Sequence, residues 1–477
     1  MVVLAAQLTS KGTTLLSLYL LGHALGDAVY GRWAVALALP LSLEAVSDMG
    51  LSLTLIRDGA GRPHVLRRLV ADMLPVKVLL CLVLVAGTYL LAALVGLSSE
   101  VAEVALILAI AKALDSMTSF VRSIFDAAER MEYEAASLML DALARLAFVT
   151  YALASDFGLV GLAKALVLSS SVVLVATATV AARRFLRGIR FRIVPRESLL
   201  VLRRSLPLAF VYFFEGLSLR ADTVLLGLVL GDSAAGHFGA AGRLVEPLLI
   251  VPLVLGMAMF PLVSRHAFEG RETTSRLFRT AVHFAVLVAL AQVVVLVGLS
   301  ELIVSGVFGS DFSEAASTLS ILAIALVPLS VRAMLVSVLS ALGQQHRLLR
   351  LQAIGFAANL AIAILLIRPL GVNGAASAAL VGELFTVGAG IMLIRRVIEV
   401  DVRDVLRTLL VGAPALAALA LLGPVLGAVG ATTLSLVVLC VAVRVVGVLR
   451  QDELGYLQLV APRLAWVARA FVAPAGR

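Results

Sequence analysis

The sequence is poor in charge. Only 14% of its 477 residues are Asp, Glu, Lys or Arg, and six are His. A soluble domain carries about 25% charged residues, so this composition argues against a water-soluble globule. Cysteine is nearly absent: Cys81 and Cys440 each sit in an apolar block. Two such thiols supply neither a disulfide framework nor a metal site, and both read as buried small hydrophobes. Lysine is scarce as well. Lys11, Lys77, Lys112 and Lys164 are the only ones, so nearly all positive charge is arginine. No Gly-rich phosphate loop ends in Lys-Ser or Lys-Thr, which argues against direct use of ATP. His23, His64, His237, His266, His283 and His346 show no metal-ligand spacing with Cys or Asp. No metal and no cofactor is expected. The first apolar stretch, about 2 to 25, lacks a basic leader and a small-residue cleavage pattern, and it reads as a spanning helix. Lys11 inside it directs that helix toward protein or water.

What the chain does have is apolar length. Hydrophobic residues make up 61% of it, in blocks rather than short runs. A bilayer core about 30 Å thick takes about 20 apolar residues per helix, and backbone polar groups in lipid must be satisfied within the segment. The expected fold is therefore an all-α integral membrane protein. Spans are expected near 2–24, 31–56, 74–97, 101–124, 134–155, 157–182, 206–229, 235–262, 280–307, 314–342, 348–368, 372–394, 405–427 and 429–449, about fourteen in all. The tail differs. Leu454, Leu457, Val460, Leu464 and Val467 recur at helical spacing, which places it on the membrane surface.

The net charge of +9 invites a nucleic-acid reading, but the arginines lie in short loops between apolar blocks. Arg57, Arg62, Arg67 and Arg68 follow span 2, eight arginines from Arg183 to Arg204 follow span 6, and Arg265, Arg271, Arg276 and Arg279 follow span 8. Loops after odd spans carry Asp27, Glu100, Asp156, Asp232 and Asp311 instead, with Arg368 their only clear arginine. The positive-inside rule then puts both termini in the cytoplasm, in a multi-pass protein of the cell's cytoplasmic membrane. No nucleic-acid partner is expected.

The chain reads as duplicated. Leu25-Gly-Asp-Ala-Val-Tyr-Gly31 recurs as Leu230-Gly-Asp-Ser-Ala-Ala-Gly236, and Gly158-Leu-Val-Gly161 as Gly371-Val-Asn-Gly374. Repeats of six spans have the same orientation, a plan in which the substrate site lies between the halves. The expected organisation is an N-lobe over 1–183, a basic linker over 184–205, a C-lobe over 206–396, two helices over 397–450 and a tail over 451–477.

Several stretches carry a family resemblance. They are Leu25–Trp33 with Gly50-Leu-Ser-Leu-Thr-Leu-Ile-Arg57, Ala221-Asp-Thr-Val-Leu-Leu-Gly227, Gly236-His-Phe-Gly-Ala-Ala-Gly-Arg243, Phe260-Pro-Leu-Val-Ser-Arg265, and Gly343-Gln-Gln-His-Arg through Leu370-Gly-Val-Asn-Gly-Ala-Ala376. Together they resemble the polysaccharide and O-antigen flippase branch of the multidrug/oligosaccharidyl-lipid/polysaccharide exporter superfamily, over essentially the whole chain. The individual motifs are loose; their order and spacing carry the specificity. The resemblance implies two six-helix lobes, like those of the drug-extruding relatives, plus two C-terminal helices that those relatives usually lack. It also implies transport of a polyprenyl-linked oligosaccharide from the cytoplasmic to the outer leaflet by alternating access, not enzymatic catalysis. The partners so implied are the lipid-linked substrate, membrane lipids, possible coupling by H+ or Na+, and other polysaccharide-assembly proteins. A cation-coupled exporter of small amphiphiles is the alternative, and a membrane scaffold a third reading. An enzyme would need a larger catalytic loop than the basic 183–205 segment.

Charges inside spans cost roughly 2.5–3.5 kcal/mol each at a helix centre and are functional candidates by default. Lys112, Arg145, Arg220, Arg243 and Arg332 are the candidate cations for an anionic head group, because guanidinium binds phosphate oxygens in bidentate fashion. Glu44, Asp48, Glu215, Asp222 and Glu246 are candidates for binding a coupling proton or cation. Simpler roles stand beside these. Asp141–Arg145 has i,i+4 spacing and reads first as a neutralised pair. Arg243–Glu246 reads equally either way, and the acids read slightly better as counter-charges. Arg332 has no acid within its own turns in the sequence, which makes it the foremost substrate candidate, with pairing across helices the other option.

Overall fold

The computed structural model describes residues 2–186, 195–266, 271–395, 398–400 and 402–446. The surface helix expected beyond Asp452 and the core of the basic linker, 187–194, lie outside the described residues. Among the described residues all regular structure is helical. The first half contains α1 (Val2–Ser42), α2 (Glu44–Asp48), α3 (Leu51–Gly59), α4 (Pro63–Val95), α5 (Ser99–Ala127), α6 (Met131–Ala154), α7 (Gly158–Arg184) and α8 (Pro195–Val229). The second contains α9 (Asp232–Val245), α10 (Ile250–His266), α11 (Arg271–Gly298), α12 (Ser300–Phe308), α13 (Ala315–Ala341), α14 (Gln345–Ile394), α15 (Val402–Leu410) and α16 (Gly412–Val446).

Where the sequence separates fourteen spans, ten helices among the described residues are long and apolar enough to cross a bilayer. The span expected near 206–229 lies on α8, which is not among the ten, and glycine accounts for the other three. α1, α14 and α16 each run through two expected spans and break at Gly26 (φ +68°), Gly371 (φ +62°) and Gly427 (φ +68°). A straight 50-residue α14 would be about 75 Å long, far beyond a core of about 30 Å. At Gly371 the chain turns so sharply that a Cβ on Gly374 would lie 2.1 Å from the Leu366 carbonyl oxygen. Only glycine visits this left-handed region at little cost. Ordinary signals set other ends. Pro63 opens α4, Gly96 (φ +72°) closes it, and the Ser98 hydroxyl accepts the Val101 N–H at the start of α5.

Two compact units result. The first comprises the described residues of 1–239 together with 307–312. Within it α5 packs against α4, α6 and α7, while α1 packs against α5, α6 and α8. One end of its core joins Leu51, Leu55, Met73, Phe120, Ile124 and Phe125. The rings of Phe125, Tyr133 and Phe185 close that end, with centroids 5.5–5.6 Å apart. The second unit comprises 240–306 and the described residues from 313 onward. Its centre is α13, whose apolar stretch is 72% buried, packed by α10, α11 and α14. α16 is peripheral and leans on α11 and α15, with Leu421, Val425 and Val445 exposed. Cys440, expected to be buried, is exposed on this helix, whereas Cys81 is buried. An apolar span faces lipid as readily as protein, so hydropathy alone does not separate the two surfaces.

The repeated turns meet each other inside the first unit. A Cβ on Gly31 would lie 1.8 Å from the Asp232 carbonyl oxygen, and one on Gly236 would lie 2.2 Å from the Asp27 carbonyl oxygen. Both obstructions are backbone, which cannot rotate away. Gly31→Ala is expected to cost about 1–3 kcal/mol by overpacking, read as a lower melting temperature of the purified protein. Gly242→Ala is the control. It lies on α9 with nothing within 4 Å of its Cβ position, and is expected to be neutral or stabilising by up to about 1 kcal/mol.

Candidate functional site: buried charge networks

Three helices of the first unit place their polar residues on facing stripes. Lys112, Asp115 and Arg122 lie along α5; Ser137, Asp141 and Arg145 lie along α6 at i, i+4 and i+8; Ser170 and Thr177 lie on α7. These spacings put each set on one side of its helix. The Asp115 carboxylate accepts from Arg145 (3.2 Å) and from the Ser170 hydroxyl (2.6 Å), with the Lys112 ammonium 3.4 Å away. Asp141 accepts from Arg145 at 3.1 Å and from Arg122 at 3.0 Å. Arg122 also donates to the hydroxyl (2.9 Å) and carbonyl of Ser137, whose hydroxyl lies 2.9 Å from that of Thr177. Three cations thus share two carboxylates. All five side chains are 13–30% exposed, so the network is neither sealed nor fully hydrated.

The expected Asp141–Arg145 pair is present, but it is a segment of this larger chain. At the Lys112 end two cations converge on Asp115. The Lys112 contact is the longest of the set, and an ammonium with three donors can turn toward a second anion. Arg122 is not among the sequence candidates. Its seven-residue spacing from Asp115 on the same helical face is the signal that could have found it.

A second network lies at a break in the second expected span. Met49 (φ +43°) and Gly50 (φ +77°) separate α2 from α3. Asp48, the last residue of α2, accepts from the Ser52 hydroxyl at 2.6 Å in the first turn of α3, where a carboxylate favours the helix dipole. Lys77 of α4 is fully buried and donates to Asp48 (2.7 Å) and to the Ser116 hydroxyl (2.8 Å). Glu44, on the same short helix, is exposed. Lys77 is likewise not among the sequence candidates; its partner Asp48 lies on another helix, twenty-nine positions earlier.

In the second unit Arg332 of α13 donates to Glu383 of α14 at 2.8 Å, with side-chain exposures of 7% and 15%. The residue without an acid in its own turns therefore pairs across helices. Arg243 and Glu246 pair at 3.1 Å, one turn apart. Along α8 Asp222 is buried, and Glu215 and Arg220 are half-buried. No group of three His, Cys, Asp or Glu residues among the described residues could hold a metal ion.

A polysaccharide biosynthesis protein model matches residues 1–267, more than half of the chain. The chain belongs to the polysaccharide biosynthesis protein family. A lipid II flippase MurJ model matches residues 241–446, so the two together run through nearly all described residues of this family member. No curated protein matches it. Among solved structures, the lipid II flippase MurJ in an inward closed conformation superposes with a TM-score of 0.70 at 12% identity, covering 98% of this chain and 99% of its own. The inward-facing conformation of a multidrug resistance MATE family transporter gives 0.67 at 18%, covering 81% and 94%. An MOP superfamily transporter from Pyrococcus furiosus gives 0.53 at 17%, covering 83% and 93%. At these identities the likeness is one of fold, and that fold is a multi-pass membrane protein's.

Proposed function

We propose that the protein is a flippase that moves a polyprenyl-(pyro)phosphate-linked oligosaccharide from the cytoplasmic to the outer leaflet during assembly of a cell-surface glycan. The observation that carries this reading is the tiling of the chain by a polysaccharide biosynthesis model and a lipid II flippase model. The near-complete coverage of the flippase fold supports it. The alternating basic and acidic loops support a cytoplasmic-membrane location with both termini inside, and the echoed turns support parallel lobes over 1–183 and 206–396.

The buried charges supply the physical basis. An anionic head group leaving water needs donors that stay charged when desolvated. Lys112 and Arg145, converging on Asp115, are the foremost contacts in the first lobe, with Arg122 behind them. Arg332 and Arg243 can serve in the second only by exchanging a carboxylate partner for phosphate, and Arg220 is a further donor on α8. A proton or sodium ion at Asp48, Asp222, Glu215, Glu44 or Glu246 would drive the cycle, and polysaccharide-assembly proteins would supply and remove substrate. The second reading is a cation-coupled exporter of small amphiphiles, favoured by the likeness to the MATE fold.

Proteoliposomes with a fluorescent polyprenyl-pyrophosphate sugar in one leaflet test both. The wild type is expected to equilibrate the lipid. Lys112→Ala is expected to slow it about tenfold, the worth of one charge-assisted hydrogen bond. Arg332→Gln with Glu383→Gln removes a pair without leaving a lone buried charge. A further loss there makes Arg332 a substrate contact, and normal flipping makes it structural. Failure of the wild type to move lipid under either a proton or a sodium gradient, with efflux of an amphiphilic cation instead, moves the exporter reading ahead.

A further inference from the structure

The connection from α12 to α13 leaves the unit to which its chain neighbours belong. Residues 307–312 belong to the first unit, while the chain up to Gly306 and from Ser313 belongs to the second. Aromatic burial draws this strap away. Phe308 and Phe312 are almost fully buried, and each packs edge-on against the buried Tyr30 ring of α1, with centroids 5.4 and 5.5 Å apart. Two buried phenylalanines are a large apolar gain for so short a segment. Two glycines permit the approach. Gly309 (φ +92°) turns the chain between the two rings. Gly22, in the interior of α1, has the Phe308 Cα 2.8 Å from where its own Cβ would stand. Glycine inside a helix is unfavourable by itself, and here it admits the backbone of the strap.

The strap touches both of the turns that dock on each other. On the α1 side it meets Gly22 and Tyr30, and Tyr30 precedes Gly31 of the docked pair. On the α9 side the Asp311 carbonyl oxygen lies 3.2 Å from His237 Nε2, and the rings of Phe312 and His237 are 6.0 Å apart at 75°. His237 follows Gly236, the other glycine of the pair. The turns also hold each other directly. The Ser233 hydroxyl donates to the Asp27 carboxylate, and Arg32, which bonds Glu100 of α5 at 2.6 Å, reaches Asp232 at 3.8 Å. The strap thus lies across the junction, and its covalent neighbours on both sides belong to the second unit.

We propose that residues 307–312 are a latch on the docked turns, so that strap and turns open as one unit. Parting the turns carries Tyr30 and His237 in different directions, and the strap can follow only one of them. Either its two rings leave Tyr30, or its carbonyl and the Phe312 ring leave His237. The turns are therefore held together for as long as the strap is seated on both. The latch stands on these contacts. Its place in a transport cycle, as the step that opens one end of the protein to the outer leaflet, rests on the flippase reading above.

Hydrogen exchange of the purified full chain tests the latch with no substrate present, so it can fail while the flippase reading stands, and the reverse. Amides over 22–31, 232–238 and 307–313 are followed by mass spectrometry. Phe312→Leu keeps an apolar side chain but empties part of the seat. It should speed exchange in all three segments by a common factor, on the order of tenfold. Phe125→Leu, an equally buried ring in the cluster with Tyr133 and Phe185, should leave the three segments near the wild-type rate. A second variant removes no packing. Asp27→Cys with Ser233→Cys, in a background with Cys81→Ala and Cys440→Ala, places two thiols where the side chains now touch. Oxidised, it should slow exchange in the strap by about threefold or more relative to its own reduced form, although neither cysteine lies in the strap. Strap exchange unmoved by the crosslink, turns unmoved by Phe312→Leu, or an equal effect of Phe125→Leu overturns the proposal.

Discussion

Asp115→Asn is expected to destabilise the protein by about 3 kcal/mol or more, the cost of breaking a buried ion pair from one side. Asp115 is the only carboxylate bonded to both Lys112 and Arg145 among the contacts of the network. The amide can still accept from Ser170, so the change isolates charge from shape. Without the carboxylate, Lys112 and Arg145 converge with only Asp141 as counter-charge, and Asp141 is shared with Arg122. These side chains are less than a third exposed, so water compensates only in part. Adding Lys112→Met should restore about 1 kcal/mol or more by removing the cation left over, a coupling that a double-mutant cycle measures directly. A loss below about 1 kcal/mol, typical of exposed pairs, would mean that water reaches the network freely. In transport assays Asp115→Asn has the opposite sign to Lys112→Ala on substrate affinity, since a freed cation holds an anion more tightly.

Lys77→Met is the second large effect, expected at about 2–3 kcal/mol. The methionine preserves the apolar stem, so the loss is mainly electrostatic. It falls below the full range for buried pairs because the Asp48 side chain is 33% exposed and keeps the Ser52 hydroxyl. Ser116 loses its ammonium contact but stays bonded to Ser47 at 2.6 Å. The consequence reaches the backbone. Lys77 is the tether that fixes α2 across the Met49–Gly50 break, and amide exchange over residues 44–52 should accelerate in the variant. Combining Lys77→Met with Asp48→Asn should recover more than half of the loss. If the single change costs less than about 0.5 kcal/mol and exchange is unchanged, the ammonium is no anchor.

Several features were legible from residues alone because bilayer chemistry leaves few alternatives. Long apolar blocks had to be helices, and the order and spacing of loose motifs pointed to the family to which the chain belongs. The pairing of Asp141 with Arg145 could be read from spacing along one helix, while that of Arg243 with Glu246 stood even between two readings until the structure showed it. Gly26 and Gly371 fall between expected spans and Gly427 ends one, so these three breaks lie where the sequence separates its spans; that the glycines take positive φ there is seen only in the backbone path.

Contacts across helices were also hidden. Arg332 meets Glu383 fifty-one positions later, and Lys77 meets Asp48 twenty-nine positions earlier. A charge in an apolar span announces that it needs a partner, because its desolvation is costly; it does not say which helix supplies one. The sequence by itself determined the solvent of this protein, its helical class and its family, since these depend on composition, period and order. Tertiary structure alone decided which cations share a carboxylate, that the second expected span breaks at Met49–Gly50, and that the two repeated turns dock on each other. Those outcomes depend on how helices pack side by side, and neither helical period nor hydropathy encodes that neighbour.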